Sequence, residues 1–426
     1  MKKLMVSLAA APLLLSSVAS ADVDVKVGGQ AVLYYQTTQN NGDDAPDMFD
    51  KRGSRANAGL QLNLTSDLGN GFTAAGQASF LGTLGLEKNL VSAPMQKAGH
   101  DLNDAAVTKI YIAKKMANTT VKLGRQELPK SLSPLAFSEG WNVFKNTFDA
   151  ALVINSDIPK TVLVGAYVAQ SNNHSNLGEF DSLVAATNAG VANVDGTAYM
   201  LTAQTKLIPL TTLTLSYYDL AKVGANLVPG EDIGASAFWA DATIAGKEMP
   251  IGLNFGLQGG SIMPDSEIGA VELDNTTAYG IKAGIKLGMF GLTAAYTSVD
   301  GNDNKVNVAI KNTGTGIKTP LYTQMIANQN AIALDGDTFL LKAVLGMGDA
   351  GKVIAQGTMT SAGKSNLMNA GRDADGTDYT DFELIYKVKA AEVNFLAAYV
   401  YQSWDEKNAN DMDSNNILRF WARYNF

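Results

Sequence analysis

Lysine and arginine recur along this chain at spacings that put them on one side of extended segments. Lys282 and Lys286 stand four apart within the run Ile281–Leu287, and Arg419 and Arg423 stand four apart within Leu418–Phe426. Residues two or four apart in a strand share a face. Each such segment therefore carries a row of ammonium or guanidinium groups. Lys342, Lys352 and Lys387 occupy the same polar positions of similar segments. The chemistry open to such a row is reversible ion pairing and hydrogen bonding with carboxylate or phosphate groups. A second constellation lies at about 127–146, where Glu127, Lys130, Glu139 and Lys145 alternate with Leu128, Pro129, Leu132, Pro134, Leu135, Phe137 and Trp141, just after Arg125. A loop this apolar needs cover, and its charges would set the narrowest point of whatever cavity covers it. Covalent catalysis has little to work with. There is no cysteine, and the two histidines, His100 and His174, lack an adjacent motif. Asp373-Ala374-Asp375-Gly376-Thr377-Asp378 begins like a calcium turn but lacks the fifth-position acid and the bidentate glutamate. A solvated loop is the favoured reading there, and no cofactor is expected.

The elements that must hold these residues are strands. In 59–65, Leu60, Leu62 and Leu64 oppose Gln61, Asn63 and Thr65; in 251–258, Ile251, Leu253, Phe255 and Leu257 oppose Gly252, Asn254, Gly256 and Gln258. Such period-2 patterning means one apolar and one polar face per strand. Residues 149–168 alternate poorly. Eight short turns, such as 68–71, 156–160 and 288–291, alternate with nine long polar stretches, at about 39–53, 83–104, 127–146, 171–194, 221–233, 261–274, 300–335, 362–378 and 403–413. Seventeen connections join eighteen strands. Every proline after the first twenty residues falls in a connection, as expected for strands paired on both sides.

Residues 1–21 combine Lys2 and Lys3, an apolar stretch from Leu4 to Leu15, and Ala19-Ser20-Ala21. This is expected to be a secretory signal peptide, leaving 22–426 as the mature chain. The net charge of −8 argues against a nucleic-acid partner, and no later run is long and apolar enough for a membrane helix. An exported chain of alternating strands, with short and long connections in strict succession, predicts an all-β transmembrane antiparallel barrel of the bacterial outer membrane. Its short turns would face the periplasm and its long loops the outside. Tyr34, Tyr35, Tyr217, Tyr399, Tyr401, Trp404, Trp421, Tyr424 and Phe426 near strand ends would supply interfacial girdles among lipid and lipopolysaccharide. The polar parity would face a water-filled lumen. It gives as pore-lining candidates Lys26, Arg55, Gln61, Asn63, Lys109, Lys122, Asn254, Lys282, Lys286, Lys342, Lys352, Glu383, Lys387, Arg419 and Arg423. The wall is basic although the chain is acidic, because the excess acid sits in loops such as Asp43–Asp50 and Asp405–Asp413. The parity of Arg125 is outward, so it stands as a rim residue that would have to turn inward.

The last nonapeptide, Leu418-Arg419-Phe420-Trp421-Ala422-Arg423-Tyr424-Asn425-Phe426, resembles the terminal strand through which outer-membrane proteins engage their assembly machinery. Lys122-Leu123-Gly124-Arg125-Gln126-Glu127-Leu128-Pro129, followed by Pro134-Leu135-Ala136-Phe137, Trp141-Asn142-Val143-Phe144 and Asn146-Thr147-Phe148-Asp149-Ala150, resembles the third-loop region of epsilonproteobacterial porins. The likeness is to the Campylobacter major outer-membrane protein and the broader OprD-like group, in detail over about 120–170. It implies an eighteen-stranded barrel, an infolded third loop, passive diffusion of small polar solutes and, in some members, a homotrimer. The basic wall adds an expected preference for anionic or carboxylate solutes. The alternative is a structural or adhesive surface protein whose lumen is blocked.

Overall fold

Strands with one apolar and one polar face can satisfy their backbone only by pairing edge to edge, and in lipid the sheet must close on itself. The computed structural model of the chain has that form. It describes residues 24–42, 44–172, 174–194, 198–223, 233–265, 267–268, 271–368, 376–405 and 412–426. The candidate leader at 1–21 lies outside these residues, as do Asp373 and Asp375 of the candidate calcium turn and Asp43 and Asp411 of the acidic loops.

The wall runs β1 (Val25–Asn40), β2 (Ser54–Gly69), β3 (Phe72–Gly82), β4 (Asp104–Met116), β5 (Thr119–Gln126) and β6 (Phe148–Asn155). It continues through β7 (Thr161–Asn172), β8 (Ala198–Thr205), β9 (Thr211–Val223), β10 (Ile233–Ala245), β11 (Asn254–Pro264) and β12 (Thr276–Leu287). It ends with β13 (Phe290–Val299), β14 (Gly336–Gly346), β15 (Lys352–Gly363), β16 (Gly376–Ala390), β17 (Val393–Trp404) and β18 (Ser414–Asn425). Each strand pairs antiparallel with the next. The ring closes where β18 meets β1, from Gln30↔Asn425 to Asn40↔Asn415. Eight short turns and nine long connections alternate, so the expected eighteen-stranded barrel is met in number and in order. Among the described prolines only Pro264 falls inside a strand, as its last residue.

The seam has its own local device. Gly29 and Phe426 exchange backbone hydrogen bonds of 2.8 and 3.1 Å. A Cβ on Gly29 would come within 2.2 Å of the Gln61 carbonyl and 2.8 Å of the Phe426 ring. Glycine at this place lets the terminal residue lie against the first strand.

The apolar parity faces out: Leu60, Leu201, Leu257, Ile281, Leu341 and Met359 are all exposed on the outside of the wall. Leaving that much apolar area in water would be costly at roughly 25 cal/mol per Å², so the belt calls for lipid. Tyr35, Tyr217, Tyr399, Tyr401 and Tyr424 share the outer parity. Tyr34, Trp404 and Trp421, expected in the same girdles, are on the inner parity instead, where Tyr34 and Trp404 are buried. The poor alternation of 149–168 also has a physical cause. Val153 and Tyr167 point out, while Leu152, Val164, Ala166 and Val168 on the inner face are buried as well. Something inside the barrel covers them.

Candidate functional site

The cover is the connection L3 (127–147, between β5 and β6). Leu128, Leu135 and Ala136 of L3 pack with Leu152, Val164, Ala166, Met200, Ala237 and Trp239 from the inner faces of β6–β10. This side of the lumen is a dry core. Polar tethers fix the loop in register. The Leu135 N–H donates to the Tyr218 hydroxyl at 3.1 Å, Gln204 Nε2 to the Ser131 carbonyl at 3.0 Å, and Arg423 Nη2 to the Val143 carbonyl at 3.0 Å. Phe144 lies over Gly59 of β2, where a Cβ would stand 2.8 Å from its ring.

A second inserted loop escaped the sequence reading. L7 (300–335, between β13 and β14) buries Ile310, Leu321, Ile332 and Leu334 inside the barrel. The apolar content that singled out L3 is equally plain in L7 and was the signal that could have found it. It is stapled to the wall on both sides of the lumen, at β16 and β17 and at β10. The Ile326 N–H donates to Glu383, Gln402 Nε2 to the Ala327 carbonyl at 3.1 Å, and the Tyr322 hydroxyl to Asp241 Oδ2 at 2.5 Å.

The two loops meet at Glu139, which is buried. Its Oε1 accepts from Asn312 Nδ2 at 2.7 Å, Thr315 Oγ1 at 2.5 Å and the Lys318 N–H at 3.0 Å, and its Oε2 from Trp141 Nε1. Lys130 Nζ reaches the Thr319 carbonyl at 2.8 Å, and the Thr313 N–H reaches the Leu135 carbonyl at 2.8 Å. L3 and L7 thus form one hydrogen-bonded bridge across the lumen. Lys318 Nζ completes it with the carbonyls of Ile326 at 2.6 Å and Met325 at 3.2 Å and with Gln329 Oε1 at 3.2 Å. Burial pushes the Lys318 ammonium down to about 7, and Lys130 and Lys311 each to about 8.

The remaining candidates are distributed around this bridge. Lys109 and Lys145 both pair with Glu127, Lys145 at 2.9 Å. Burial works to raise the Glu127 carboxyl, but these two ammonium groups outweigh it and hold the group below its ordinary range. Lys122 stands 3.8 Å over the Tyr111 ring and Lys282 3.9 Å over that of Tyr322. Arg419 donates to Gln36 at 3.0 Å and lies beside Trp141. Arg423 contacts Gln30 as well as L3. Lys342 lies opposite Gln356, and Lys352 opposite Lys387, on the inner parity of β14–β16. Gln61 donates to Ser79 at 2.8 Å, Asn63 accepts from Gln77, and Asn254 faces Gly284. Lys26 and Lys286 sit on the inner parity toward the turn end, and Arg55 toward the loop end. Arg125 stays outside with Leu123. Its guanidinium forms a two-pronged pair with Asp149 at 2.9 and 3.1 Å, and Gln170 joins at 2.7 Å.

Charge balance inside the wall is one-sided. Among the described residues, no carboxylate lies within ion-pair distance of Lys122, Lys282, Lys342, Lys352, Lys387, Arg419 or Arg423. Acids on the inner wall are fewer, and neutral donors fix their oxygens in place without cancelling their charge. Asp241 is held by Tyr322 and Thr243, and Glu383 by Ile326 and Gln356. Asp381, on the same inner parity as Glu383, is held by Gln402 at 2.7 Å and Thr358 at 3.2 Å. Among the described residues no cluster of histidines or acids is placed to hold a metal. The site can therefore offer unpaired cations to an anion, and it offers neutral hydrogen-bond partners around them.

No family model matches the chain, and no curated protein does. Solved structures do. OccK8 (OprE) of Pseudomonas aeruginosa superposes with a TM-score of 0.71 at 14% identity, over 95% of this chain and 98% of that one. OccAB3 of Acinetobacter baumannii gives 0.70 at 15%, over 94% and 99%. OpdK of Pseudomonas aeruginosa, crystallised with vanillate, gives 0.68 at 15%, over 94% and 98%. At such identity the likeness establishes a common fold.

Proposed function

We propose that this chain is an outer-membrane porin through which small hydrophilic solutes and ions diffuse passively, with a preference for anions and carboxylates. The observation that carries the preference is an excess of inner bases: Lys122, Lys282, Lys342, Lys352, Lys387, Arg419 and Arg423 have no ion-pair partner among the described residues, while the inner acids Asp241, Asp381 and Glu383 are fewer. Pores conduct when sites attract enough to admit a solute and weakly enough to release it. Lysines resting over tyrosine rings, as at Lys122 and Lys282, meet that condition. The neighbours lend support. OpdK is an outer-membrane protein, and vanillate, found with it, is an aromatic carboxylate.

Purified protein in planar bilayers tests both parts. Stepwise conductance is expected, with a reversal potential of anionic sign in a salt gradient. Cation selectivity would remove the preference, and silence would favour the other reading, a surface protein with a blocked lumen. The L3–L7 bridge across the lumen is what speaks for that alternative. The narrower likeness to epsilonproteobacterial porins rests on the third-loop residues quoted above. Lipid and lipopolysaccharide around the outer belt, assembly machinery at the strand ending in Phe426, and a homotrimer belong to the same proposal.

A further inference from the structure

Three of the short turns are built unlike turns that meet only water. They join β6 to β7 (156–160), β8 to β9 (206–210) and β10 to β11 (246–253), and they are neighbours along the rim. The Lys206 N–H donates to the Lys160 carbonyl at 2.9 Å, and the Ala245 N–H to the Leu210 carbonyl at 2.9 Å. The first two repeat one design. Ile158-Pro159-Lys160-Thr161 closes with Thr161 N–H to the Ile158 carbonyl at 3.0 Å, and Ile208-Pro209-Leu210-Thr211 with Thr211 N–H to the Ile208 carbonyl at 3.1 Å. The third position of each is left-handed, with Lys160 at φ +57° and Leu210 at φ +60°. Glycine or asparagine is the unstrained choice there. A leucine in that place argues that its side chain has a use.

The side chains at the tips are apolar and uncovered. Leu207 is 56% exposed, Ile208 54% and Ile251 53%, with Ile158 and Leu210 also exposed. Exposed lysines flank them at 160, 206 and 247, with exposed Asp157 and Glu248 in the same turns, so the cations outnumber the acids three to two. The facing arc of the same rim differs in apolar content: among the described residues, its turns at 347–351 and 391–392 carry no exposed large apolar side chain. Its turns carry exposed Asp349 and the Lys389–Glu392 pair at 2.6 Å. Above the apolar tips the outer wall continues without a break in character through exposed Val153, Leu215 and Phe255.

We propose that these three turns form a ledge that inserts into the headgroup layer of the leaflet on the turn side of the membrane. The apolar tips enter among the upper acyl chains, and Lys160, Lys206 and Lys247 face the phosphodiesters. Continuity with the lipid-facing belt and the flanking lysines select lipid as the occupant, since apolar tips beside long cationic side chains are the pattern of interfacial anchors. The barrel then sits deeper on the β6–β11 side than on the β14–β17 side. This rests on the membrane-spanning reading above.

The chain has no cysteine, so Ile208→Cys, Ile158→Cys, Leu201→Cys and Asp349→Cys each create one labelling site. Each variant carries nitrobenzoxadiazole and is reconstituted at high dilution in phosphatidylethanolamine–phosphatidylglycerol vesicles, with no other protein present. A nitroxide on the upper acyl chain reports lipid contact, and acrylamide reports water. Labels at 208 and 158 are expected to be quenched by the nitroxide as strongly as the belt control at 201, and several-fold more than the label at 349. The acrylamide order is expected to reverse. If 201 is in lipid but 208 and 158 are as wet as 349, the ledge is refuted and a protein partner for these turns becomes the better account. If 201 is wet too, it is the membrane-spanning reading that falls.

Discussion

Glu139 is the joint whose removal should change the pore most directly. Its carboxylate receives four donors, three of them from L7 or its backbone neighbourhood: Asn312, Thr315 and Lys318, with Trp141 from L3 itself. Alanine removes the acceptor shared by four donors, of which Asn312 Nδ2 keeps the Phe137 carbonyl at 2.8 Å and Trp141 is only half-buried. At about 1 kcal/mol each for Asn312 and Trp141, and about 1 to 3 each for Thr315 and the Lys318 N–H, the loss is roughly 4–8 kcal/mol. Glutamine keeps one carbonyl for the three L7 donors, removes the charge that strengthens them, and turns an amide N–H toward the Trp141 N–H. Its cost should be roughly half that of alanine, about 2–4 kcal/mol. Neither change touches a wall strand, so the barrel should still assemble. The remaining contacts, Lys130 to Thr319 and Thr313 to Leu135, keep the loops near each other. Bridge and gap states should then interconvert. Single-channel recordings of Glu139→Ala are expected to show larger mean conductance with added substates, and limited proteolysis from the loop side should cut within 127–147 or 300–335. Glu139→Gln should lie between alanine and wild type. Wild-type conductance, noise and protease resistance in both variants would refute the bridge as a determinant of the pore.

Three further outcomes follow from the same geometry. Lys318, Lys130 and Lys311 are cationic below their lowered values of about 7, 8 and 8 and neutral above them, so anion preference measured by reversal potential should fall between pH 6 and 9. Lys318→Met should flatten the lower part of that curve, and a pH-independent wild type would contradict the assignment. Lys282→Met and Lys342→Met should each weaken anion over cation permeation. For an ion passing at ~6 Å in water-like dielectric, one unit charge is worth ~0.7 kcal/mol, attractive to one sign and repulsive to the other, so the permeability ratio should shift about tenfold at low salt. Gly29→Val should block closure, because the Gln61 carbonyl and the Phe426 ring already occupy the space. The barrel's heat-modifiable shift in gel mobility is the readout, and normal assembly would count against the seam.

The wall was legible because its code is short-range. Period-2 alternation, proline exclusion and the succession of short and long connections are each set by neighbouring residues, and together they yield eighteen strands in the right order. The interior was legible only by parity. Parity told which side Lys282, Lys342 or Arg419 takes, but not whether a given acid is free or already bound. Asp381 and Glu383 look alike to Lys387 in a pattern of alternate positions, yet the acids are buried against Gln402 and Gln356. Arg125 shows the limit from the other side. Its side chain is on the outward parity, and a partner on the next strand, Asp149, explains how a charge can stay there. L7 is harder to read because its apolar residues, such as Ile310, Leu321 and Ile332, are spread over a longer stretch among Asn, Lys and Thr.

The poor alternation of β6 and β7 turns out to be the link between fold and pore. A barrel of eighteen strands encloses more space than a small solute needs. Narrowing it by loops demands a surface for those loops to pack on, and a loop held only by water-exposed polar contacts would not hold a fixed aperture. The chain meets this by giving up polar alternation on one arc. Leu152, Val164, Ala166 and Met200 make that arc a core, and L3 and L7 pack into it. The bases then stand around the edge of this packing, on β5, β12, β14–β16 and β18, some of them touched by the loops as Lys282 is by Tyr322 and Arg423 by Val143. The same arc carries the apolar turns at its rim. One stretch of wall is therefore apolar inside, outside and at its lower edge, and a single substitution series along β6–β10, polar on the inner face only, should loosen the bridge while leaving the lipid contacts in place.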